Sequence, residues 1–201
     1  MMASLLSVRV PFILASQSPR RRALLEQVNA SFHVEVSPAH ETLEETVPPP
    51  ETARALADKK ATPVARAHPG ALVLAADTIV IHDGTILEKP DSAEDAAAML
   101  HRLSGTTHSV YTGMALHHAA SDRAVTTGED TEVSFAPLRS EEIDAYVASG
   151  SPMDKAGAYG IQDHTAPFFV ERLDGDYYNV VGLPLRRLYN TLQNQFEDLL
   201  T

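Results

Sequence analysis

The segment Ser16–Arg22 has the features of an anion-binding site. It follows a predicted strand, Ser18 is a suitable N-cap, and Pro19 fits the first position of a helix. The free N–H groups at such a helix start attract phosphate, and three arginines in the first turns add charge-assisted donors. A capped helix with a solvated basic face fits the same residues. Because arginines at this end oppose the helix dipole, we favour an anion as their partner.

Asp77 is the carboxylate best placed for chemistry. It follows the apolar run Ala71–Ala76, which predicts a buried strand. A carboxylate at the end of such a strand can bind a metal or accept a proton, although a cap or turn is the commoner role for a single aspartate. Asp83-Gly84 predicts a hairpin that would return Lys89 toward the same end of the sheet; an exposed lysine is the alternative.

Two further segments are candidates with less specific signals. Asp154–Gln162 is rich in glycine, which allows close backbone approach to a ligand, and Gln162 offers a donor and an acceptor to a base edge. A flexible loop would have the same composition. Asn179–Pro184 is mostly apolar and is typical of a helix entry, so we assign it a structural role.

The elements that must position these residues alternate between strands and helices. Strands are predicted at 10–15, 32–36, 71–76, 79–81, 85–87, 110–116, 131–135 and 168–172, and helices at 19–28, 52–62, 92–103, 140–147 and 184–196. Prolines make Glu41–Glu51 a predicted loop, and Pro63 is predicted to break the second helix, with Thr62 capping a short segment after it. The alternation favours an α/β fold whose hairpins make the sheet mixed.

Composition excludes several classes of protein. The formal net charge of −11 disfavours binding of nucleic acid through a general positive field. The absence of cysteine excludes disulfides and thiolate chemistry, and the nine histidines lack ligand-like spacing and are predicted to be surface or hydrogen-bonded residues. No P-loop motif occurs. The N-terminus is a poor signal peptide and no apolar run could cross a bilayer, which predicts a cytoplasmic protein without membrane contact.

Taken together in chain order, these groups resemble the motifs of the Maf proteins, a family of nucleotide pyrophosphatases. The matching segments are Leu14–Arg21, Ala76–Val80, Leu87–Pro90, Leu103–Gly105, Asp154–Gln162 and Asn179–Pro184. Each is weak alone, but six in order are specific. The resemblance implies a single domain over residues 1–201, with a mixed β-sheet flanked by helices and two lobes around a central cleft. It also implies a homodimer.

The resemblance implies hydrolysis of a nucleoside triphosphate at the α-phosphorus, with release of pyrophosphate and with help from a divalent metal, magnesium or manganese. Asp77 is then the base that activates water, and the implied metal ligands are Asp77 and Glu41. The residues implied to hold phosphates or to join the polar cluster around them are Ser16, Arg21, Lys60, Lys89, Asp154 and Lys155.

The resemblance also bears on base choice. Arg20, Thr78 and Gln162 are similar to the branch of the family that acts on dTTP and UTP. The branch that prefers 7-methyl-GTP typically has tryptophan, glutamine and glutamate there. Two departures stand out: Asp163 replaces a common glycine and adds a carboxylate near the implied base pocket, and His40 replaces a frequent acidic residue beside the implied metal ligand.

Two alternatives stay open from sequence. The chain could be a non-catalytic nucleotide-binding regulator of cell division. The complete group of Asp77, Lys60 and Lys89 argues for catalysis instead, since a protein that only binds has little need of a positioned base. The chain could also be a 7-methyl-GTP-directed pyrophosphatase, which Thr78 and Gln162 disfavour.

Overall fold

The structure is a computed structural model that describes residues 5–39 and 47–201. Its strands are β1 (Phe12–Leu14), β2 (His33–Val34), β3 (Leu72–His82), β4 (Thr85–Leu87), β5 (Thr107–His118), β6 (Arg123–Phe135) and β7 (Val170–Asp174). Its α-helices are α1 (Pro19–Gln27), α2 (Pro49–Ala67), α3 (Ala93–Leu103), α4 (Ser140–Ala148), α5 (Ala166–Phe169), α6 (Tyr177–Val181) and α7 (Leu185–Gln195). Within the described ranges, no helix is both long enough and apolar enough to cross a membrane.

The strands form one mixed sheet in the order β2-β1-β3-β5-β6-β7, with β4 paired to β3. β1 is parallel to β2 and β3, and the chain reaches each of these strands through a helix, as parallel pairing requires. β3–β4 and β6–β7 are antiparallel. The predicted hairpin is confirmed: Asp83 and Gly84 both have positive φ, at 50° and 74°. The predicted α/β class with a mixed sheet is therefore confirmed.

The chain divides into two compact units. The first contains the described residues up to Asp77, together with Thr112–Glu129 and Gly182–Thr201; the second contains Thr78–Tyr111 and Asp130–Val181. The long strands β3, β5 and β6 contribute residues to both units. Whether the chain is a single domain stays a prediction.

Small aliphatic side chains form a core of the first unit, between α2 and the strands β1, β3 and β5. Its members are Ile13, Ala15, Ala57, Ala61, Val64, Ala65, Ala71, Val73, Ala75 and Ala115. Gly113 on β5 adds to this close packing, because a Cβ atom there would lie 2.5 Å from the backbone carbonyl carbon of Ala53 on α2. Helix α2 is therefore held very close to the sheet.

The core of the second unit combines aliphatic side chains with four aromatic rings. Its buried members include Val80, Leu87, Leu100, Val110, Val133, Phe135, Ile143, Tyr146, Tyr159 and Phe169. The rings of Phe135 and Tyr159 meet edge to face with centroids 4.8 Å apart, and those of Tyr146 and Phe169 do so at 5.2 Å. Two of these rings carry hydroxyl groups that form hydrogen bonds, Tyr146 with Asp163 and Tyr159 with His108.

The predictions for α2 were wrong at two places. The helix begins at Pro49, inside the predicted loop. Proline is tolerated in a first turn because the N–H groups there have no acceptor within the helix, so the missing N–H costs no hydrogen bond. The helix also continues through Pro63. Thr62 is not a cap: its hydroxyl donates to the Asp58 carbonyl at 2.9 Å. Residues on both sides of Pro63, including Ala61 and Val64, are buried against the sheet, and this packing outweighs the proline penalty.

Two strand predictions also need correction. Ala71–Ala76 and Ile79–Ile81 are parts of the single strand β3, so Asp77 lies within a strand rather than at its end. The predicted strand at 168–172 begins only at Val170, because Ala166–Phe169 forms a short helix that buries Phe169. The part of the predicted Glu41–Glu51 loop before residue 47 lies outside the described residues.

Candidate active site

The start of α1 holds one arginine in a fixed orientation. Ser18 caps the helix by accepting from the Arg21 N–H at 3.4 Å, and Pro19 occupies its first turn, as predicted. The Arg21 guanidinium donates through Nη1 to the Ser16 hydroxyl at 3.2 Å and through Nε to the Gly182 carbonyl at 2.8 Å. Arg21 is half-buried. Its side chain is thus positioned beside the N–H groups at the helix start.

The other two arginines of this segment differ from Arg21. Arg22 is exposed and forms an ion pair with Glu26 one turn later, at 2.7 Å, so it matches the solvated basic face that was the alternative for this helix. Arg20 is half-buried. The sequence did not predict that the Gly182 carbonyl orients Arg21. The only signal for Gly182 was its membership of the Asn179–Pro184 segment.

A buried ion pair joins α2 to β3. Lys60 Nζ donates to Asp77 Oδ1 at 2.6 Å, and the two residues are only 8% and 9% exposed. Lys60 follows Leu56 and Ala57 by one turn and precedes Val64 by one turn, so it lies on the buried face of α2. A buried charge is very costly unless it is paired, and each residue supplies the partner of the other. The structure therefore brings together two residues that lie seventeen positions apart in the sequence.

The Asp77 carboxylate is a candidate ligand for a metal that is shared with a substrate. Among residues 5–39 and 47–201, no group of three His, Cys, Asp or Glu side chains is arranged as a metal site. The implied ligand Glu41, and His40 before it, lie outside the described residues. Magnesium is commonly held by one or two carboxylates together with substrate phosphates, and the Asp77 carboxylate suits that mode.

A second polar cluster lies in the second unit, around the predicted loop Asp154–Gln162. Lys155 Nζ lies 2.9 Å from the Asp154 carboxylate and 3.4 Å from that of Asp163, and it donates to the Ser151 carbonyl. Lys155 is 8% exposed, the same fraction as Lys60 in the first unit. Asp154, Lys155 and Gln162, which the resemblance grouped, are therefore neighbours in one cluster.

Asp163 is the hub of this cluster. Its Oδ2 accepts from the Tyr146 hydroxyl at 2.6 Å and the Ser151 hydroxyl at 2.7 Å, and its Oδ1 accepts from Gln162 Nε2 at 3.2 Å. Burial, and then the hydrogen bond to Asp163, raise the pKa of Tyr146 well above its usual value, so this hydroxyl remains a donor. The sequence marked Asp163 only as an extra carboxylate and did not predict these contacts.

Gly160 makes the approach of these side chains possible. A Cβ atom at this position would lie 2.6 Å from Lys155 Cε, 2.7 Å from Gln162 Nε2 and 2.9 Å from Asp163 Oδ1. The Gly160 N–H donates to the Tyr146 hydroxyl at 3.1 Å. Gly160 thus allows the close approach of other side chains of the protein, and the approach of a ligand to this segment stays a prediction.

Lys89 and Thr78 are the remaining predicted site residues. Lys89 is exposed, two residues after β4. The residue before it accepts a hydrogen bond at 3.0 Å through its carbonyl from the Gly157 N–H, which ties the end of the hairpin to the loop containing Lys155. Thr78 is half-buried and follows Asp77 on β3, so the two side chains point to opposite faces of the strand.

Comparison with known proteins agrees with this arrangement of motifs. The model of the family described as Maf-like protein matches residues 11–195. The chain belongs to the Maf family. A dTTP/UTP pyrophosphatase from Salinibacter ruber is 63% identical over 199 residues, covering 99% of this chain and 98% of that protein. A dTTP/UTP pyrophosphatase from Bacillus cytotoxicus is 51% identical over 187 residues, covering 93% of this chain and 96% of that protein.

The family match confirms the resemblance on which the site was predicted. All six segments quoted for it lie within the matched residues 11–195. The roles of the individual residues, which the resemblance implied, stay predictions.

Proposed function

We propose that this Maf protein is a nucleoside triphosphate pyrophosphatase that hydrolyses dTTP and UTP to the monophosphate and pyrophosphate. The observation that carries this is the 63% identity, over nearly the full length of both chains, to a protein named dTTP/UTP pyrophosphatase. The buried pair of Asp77 and Lys60 supports catalysis rather than binding alone, because a binder has little need of a positioned base.

Asp77 is the proton acceptor in this proposal. Lys60 holds Oδ1 at 2.6 Å, which fixes the carboxylate and leaves Oδ2 as the atom to take a proton from the attacking water. The water oxygen then bonds to the α-phosphorus as the bond from that phosphorus to the bridging oxygen breaks, and pyrophosphate leaves. Such a base typically contributes about 10²–10⁴-fold to the rate.

Cationic residues would hold the triphosphate and stabilise the charge that develops on it. Arg21, oriented by Ser16 and Gly182, lies beside the start of α1, where a guanidinium can hold phosphate oxygens. Lys89 is the corresponding residue of the second unit, and Lys155 is a further member of the polar cluster. Arg20, Thr78 and Gln162 are the proposed contacts to the nucleoside.

A divalent metal, magnesium or manganese, completes the proposal. Asp77 would hold it together with substrate phosphates, and Glu41 is the second proposed ligand. When bound, the metal would neutralise charge on the phosphates. We also expect a cytoplasmic homodimer, and light scattering of the purified protein would test the oligomeric state.

Pyrophosphate release by the purified protein in the presence of magnesium tests the function. The panel is dTTP, UTP, CTP, ATP, GTP and 7-methyl-GTP, each with the wild-type chain and with Asp77→Asn. We expect turnover of dTTP and UTP that falls by about 10²–10⁴-fold in the variant. Asp174→Asn is the matched control, because it also removes one carboxylate charge, here from an exposed ion pair with Arg172. It should retain wild-type turnover.

The other outcomes separate the alternatives. Preference for 7-methyl-GTP would overturn the assignment of the base contacts and leave the chemistry in place. Absence of turnover with every nucleotide, in folded protein that still binds UTP, would instead favour the non-catalytic regulator.

A further inference from the structure

The carboxylate of Asp163 is surrounded by hydrogen-bond donors. Oδ2 accepts from the hydroxyls of Tyr146 and Ser151 and lies 3.4 Å from the Lys155 ammonium. Oδ1 accepts from the side-chain amide of Gln162. The Asp163 side chain is only 16% exposed, and its own N–H donates to the Gly160 carbonyl at 3.0 Å. Both oxygens are therefore held in place, each with a different set of partners.

This arrangement determines which way the Gln162 amide points. An ionised carboxylate only accepts hydrogen bonds, so the group 3.2 Å from Oδ1 must be the NH₂ of Gln162 and not its carbonyl oxygen. The reversed amide would place two acceptor oxygens against each other. Oε1 of Gln162 is consequently directed away from Asp163, on a side chain that is otherwise exposed.

We propose that Asp163 is a positioning residue that sets base specificity by orienting Gln162, so that Gln162 presents its carbonyl oxygen to the imide N3–H of uracil or thymine. This inference rests on the proposed function, in which Gln162 contacts the base. At the same ring position cytosine has an unprotonated nitrogen, which is an acceptor. A carbonyl oxygen held toward that position therefore accepts from uracil and thymine and repels cytosine.

The isosteric variant Asp163→Asn makes a directional prediction. Three donors face Oδ2, so the carbonyl oxygen of the new amide should occupy that place, and its NH₂ should take the place of Oδ1. Gln162 then turns its carbonyl oxygen toward the new donor and its NH₂ toward the base. That orientation suits cytosine N3 and opposes the uracil N3–H.

The test compares kcat/KM for UTP and CTP in four proteins: wild type, Asp163→Asn, Gln162→Ala and the double variant. We expect Asp163→Asn to lower the UTP:CTP ratio by about tenfold or more, the usual effect of leaving a polar group in a binding site mispaired. Gln162→Ala should lower the ratio by itself, and Asp163→Asn should change it no further in that background. Asp174→Asn, with the same charge change, should leave the ratio at the wild-type value.

An unchanged ratio in Asp163→Asn, with both nucleotides slowed equally, would overturn the proposal and leave Asp163 a structural role. The proposal would also be overturned if Asp163→Asn changed the UTP:CTP ratio by the same factor in the wild-type protein and in the Gln162→Ala variant. If Asp163→Asn does not fold, wild-type protein provides the test through 3-methyl-UTP, which lacks the imide hydrogen. Turnover of 3-methyl-UTP equal to that of UTP would refute the proposal, and turnover at least about tenfold lower would support it.

Failure of the proposed function has a different signature. In that case the wild-type protein would release no pyrophosphate from UTP or dTTP. Failure of the present inference alone would leave wild-type turnover intact, with a UTP:CTP ratio that does not depend on Asp163.

Discussion

The two units hold their polar residues by different means. In the first, α2 packs through alanines directly against β3, and Lys60 and Asp77 project from these two regular elements into a buried pair. In the second, the polar residues lie on a loop that is held by the hydroxyl of a core tyrosine, Tyr146, through Asp163 and Gly160. Rigid elements position a reacting group most accurately, and a tethered loop can change its contacts at smaller cost.

The two buried lysines show the same contrast. Lys60 and Lys155 are equally buried, at 8% exposed. Within the described chain Asp77 shows one side-chain hydrogen bond, to Lys60, whereas Asp163 accepts from Tyr146, Ser151 and Gln162 and also faces Lys155. A carboxylate with one partner keeps an oxygen available for chemistry; a carboxylate with several is suited to orienting its neighbours.

Removal of Lys60 should have the largest effect on stability. Lys60→Met leaves the Asp77 carboxylate buried without its ammonium partner, which we expect to lower the free energy of unfolding by about 3–5 kcal/mol in urea denaturation. Lys155→Met should cost less, because Asp163 retains its hydroxyl donors.

The exposed neighbour Lys59 supplies the matched control, and Lys59→Met should stay within about 0.5 kcal/mol of wild type. Adding Asp77→Leu to Lys60→Met should restore part of the lost stability, since no buried charge is then left unpaired. A loss below about 1 kcal/mol in Lys60→Met would contradict the importance of this pair.

Two glycines distinguish the rigid unit from the adaptable loop. In Gly113→Ala the new Cβ atom would lie 2.5 Å from the Ala53 backbone, which cannot move independently, so we expect a loss of about 2–3 kcal/mol in thermal or urea unfolding. In Gly160→Ala it would meet side-chain atoms of Lys155, Gln162 and Asp163, which can shift at smaller cost than backbone. We expect a smaller loss of stability and a fall of about tenfold in kcat/KM for UTP. Equal stability losses in both variants would contradict the distinction.

The aromatic core of the second unit should make stability depend on pH. His108 is 3% exposed, its Nε2 bonds to the Tyr159 hydroxyl at 2.8 Å, and its Nδ1 has no partner among the described residues. Burial, and then the nearby His82, lower the pKa of His108 from 6.5 to about 3. Between these values the unfolded chain binds a proton that the folded chain does not, so stability falls as the pH drops through this window.

The expected loss from His108 between pH 7 and pH 5 is about 2 kcal/mol. His108→Gln cannot be protonated and retains a hydrogen-bonding group for Tyr159, so its stability should fall less than that of wild type over the same range. Urea unfolding of both proteins at the two pH values measures the difference. Parallel losses in wild type and variant would show that His108 does not carry this effect.

The sequence correctly predicted features that depend on interactions between residues close together in the chain. The cap at Ser18, the proline that follows it and the turn at Asp83-Gly84 act within a few residues, and the structure confirms them. The pair Asp77-Thr78 interrupts an apolar run, which predicted the end of a strand. The strand continues because Lys60, from a helix earlier in the chain, compensates the buried charge.

The parts that the sequence did not predict depend on distant partners. Pro63 stays within α2 because the helix packs closely on the sheet on both sides of it. His108 is hydrogen-bonded, as one of the two predicted alternatives, through Nε2 to Tyr159, but its burial among rings, with no partner for Nδ1 among the described residues, was not predicted. Asp163 takes its orientation from Tyr146, seventeen residues earlier, and no local pattern encodes that contact.

Hydrolysis of UTP in ¹⁸O-labelled water tests the central claim most directly, namely that water attacks the α-phosphorus and pyrophosphate leaves. Mass spectrometry of the products after complete turnover should find one ¹⁸O atom in UMP and none in pyrophosphate. Label in pyrophosphate would place the attack at the β-phosphorus, and formation of UDP with labelled orthophosphate would place it at the γ-phosphorus. Either result would contradict the account.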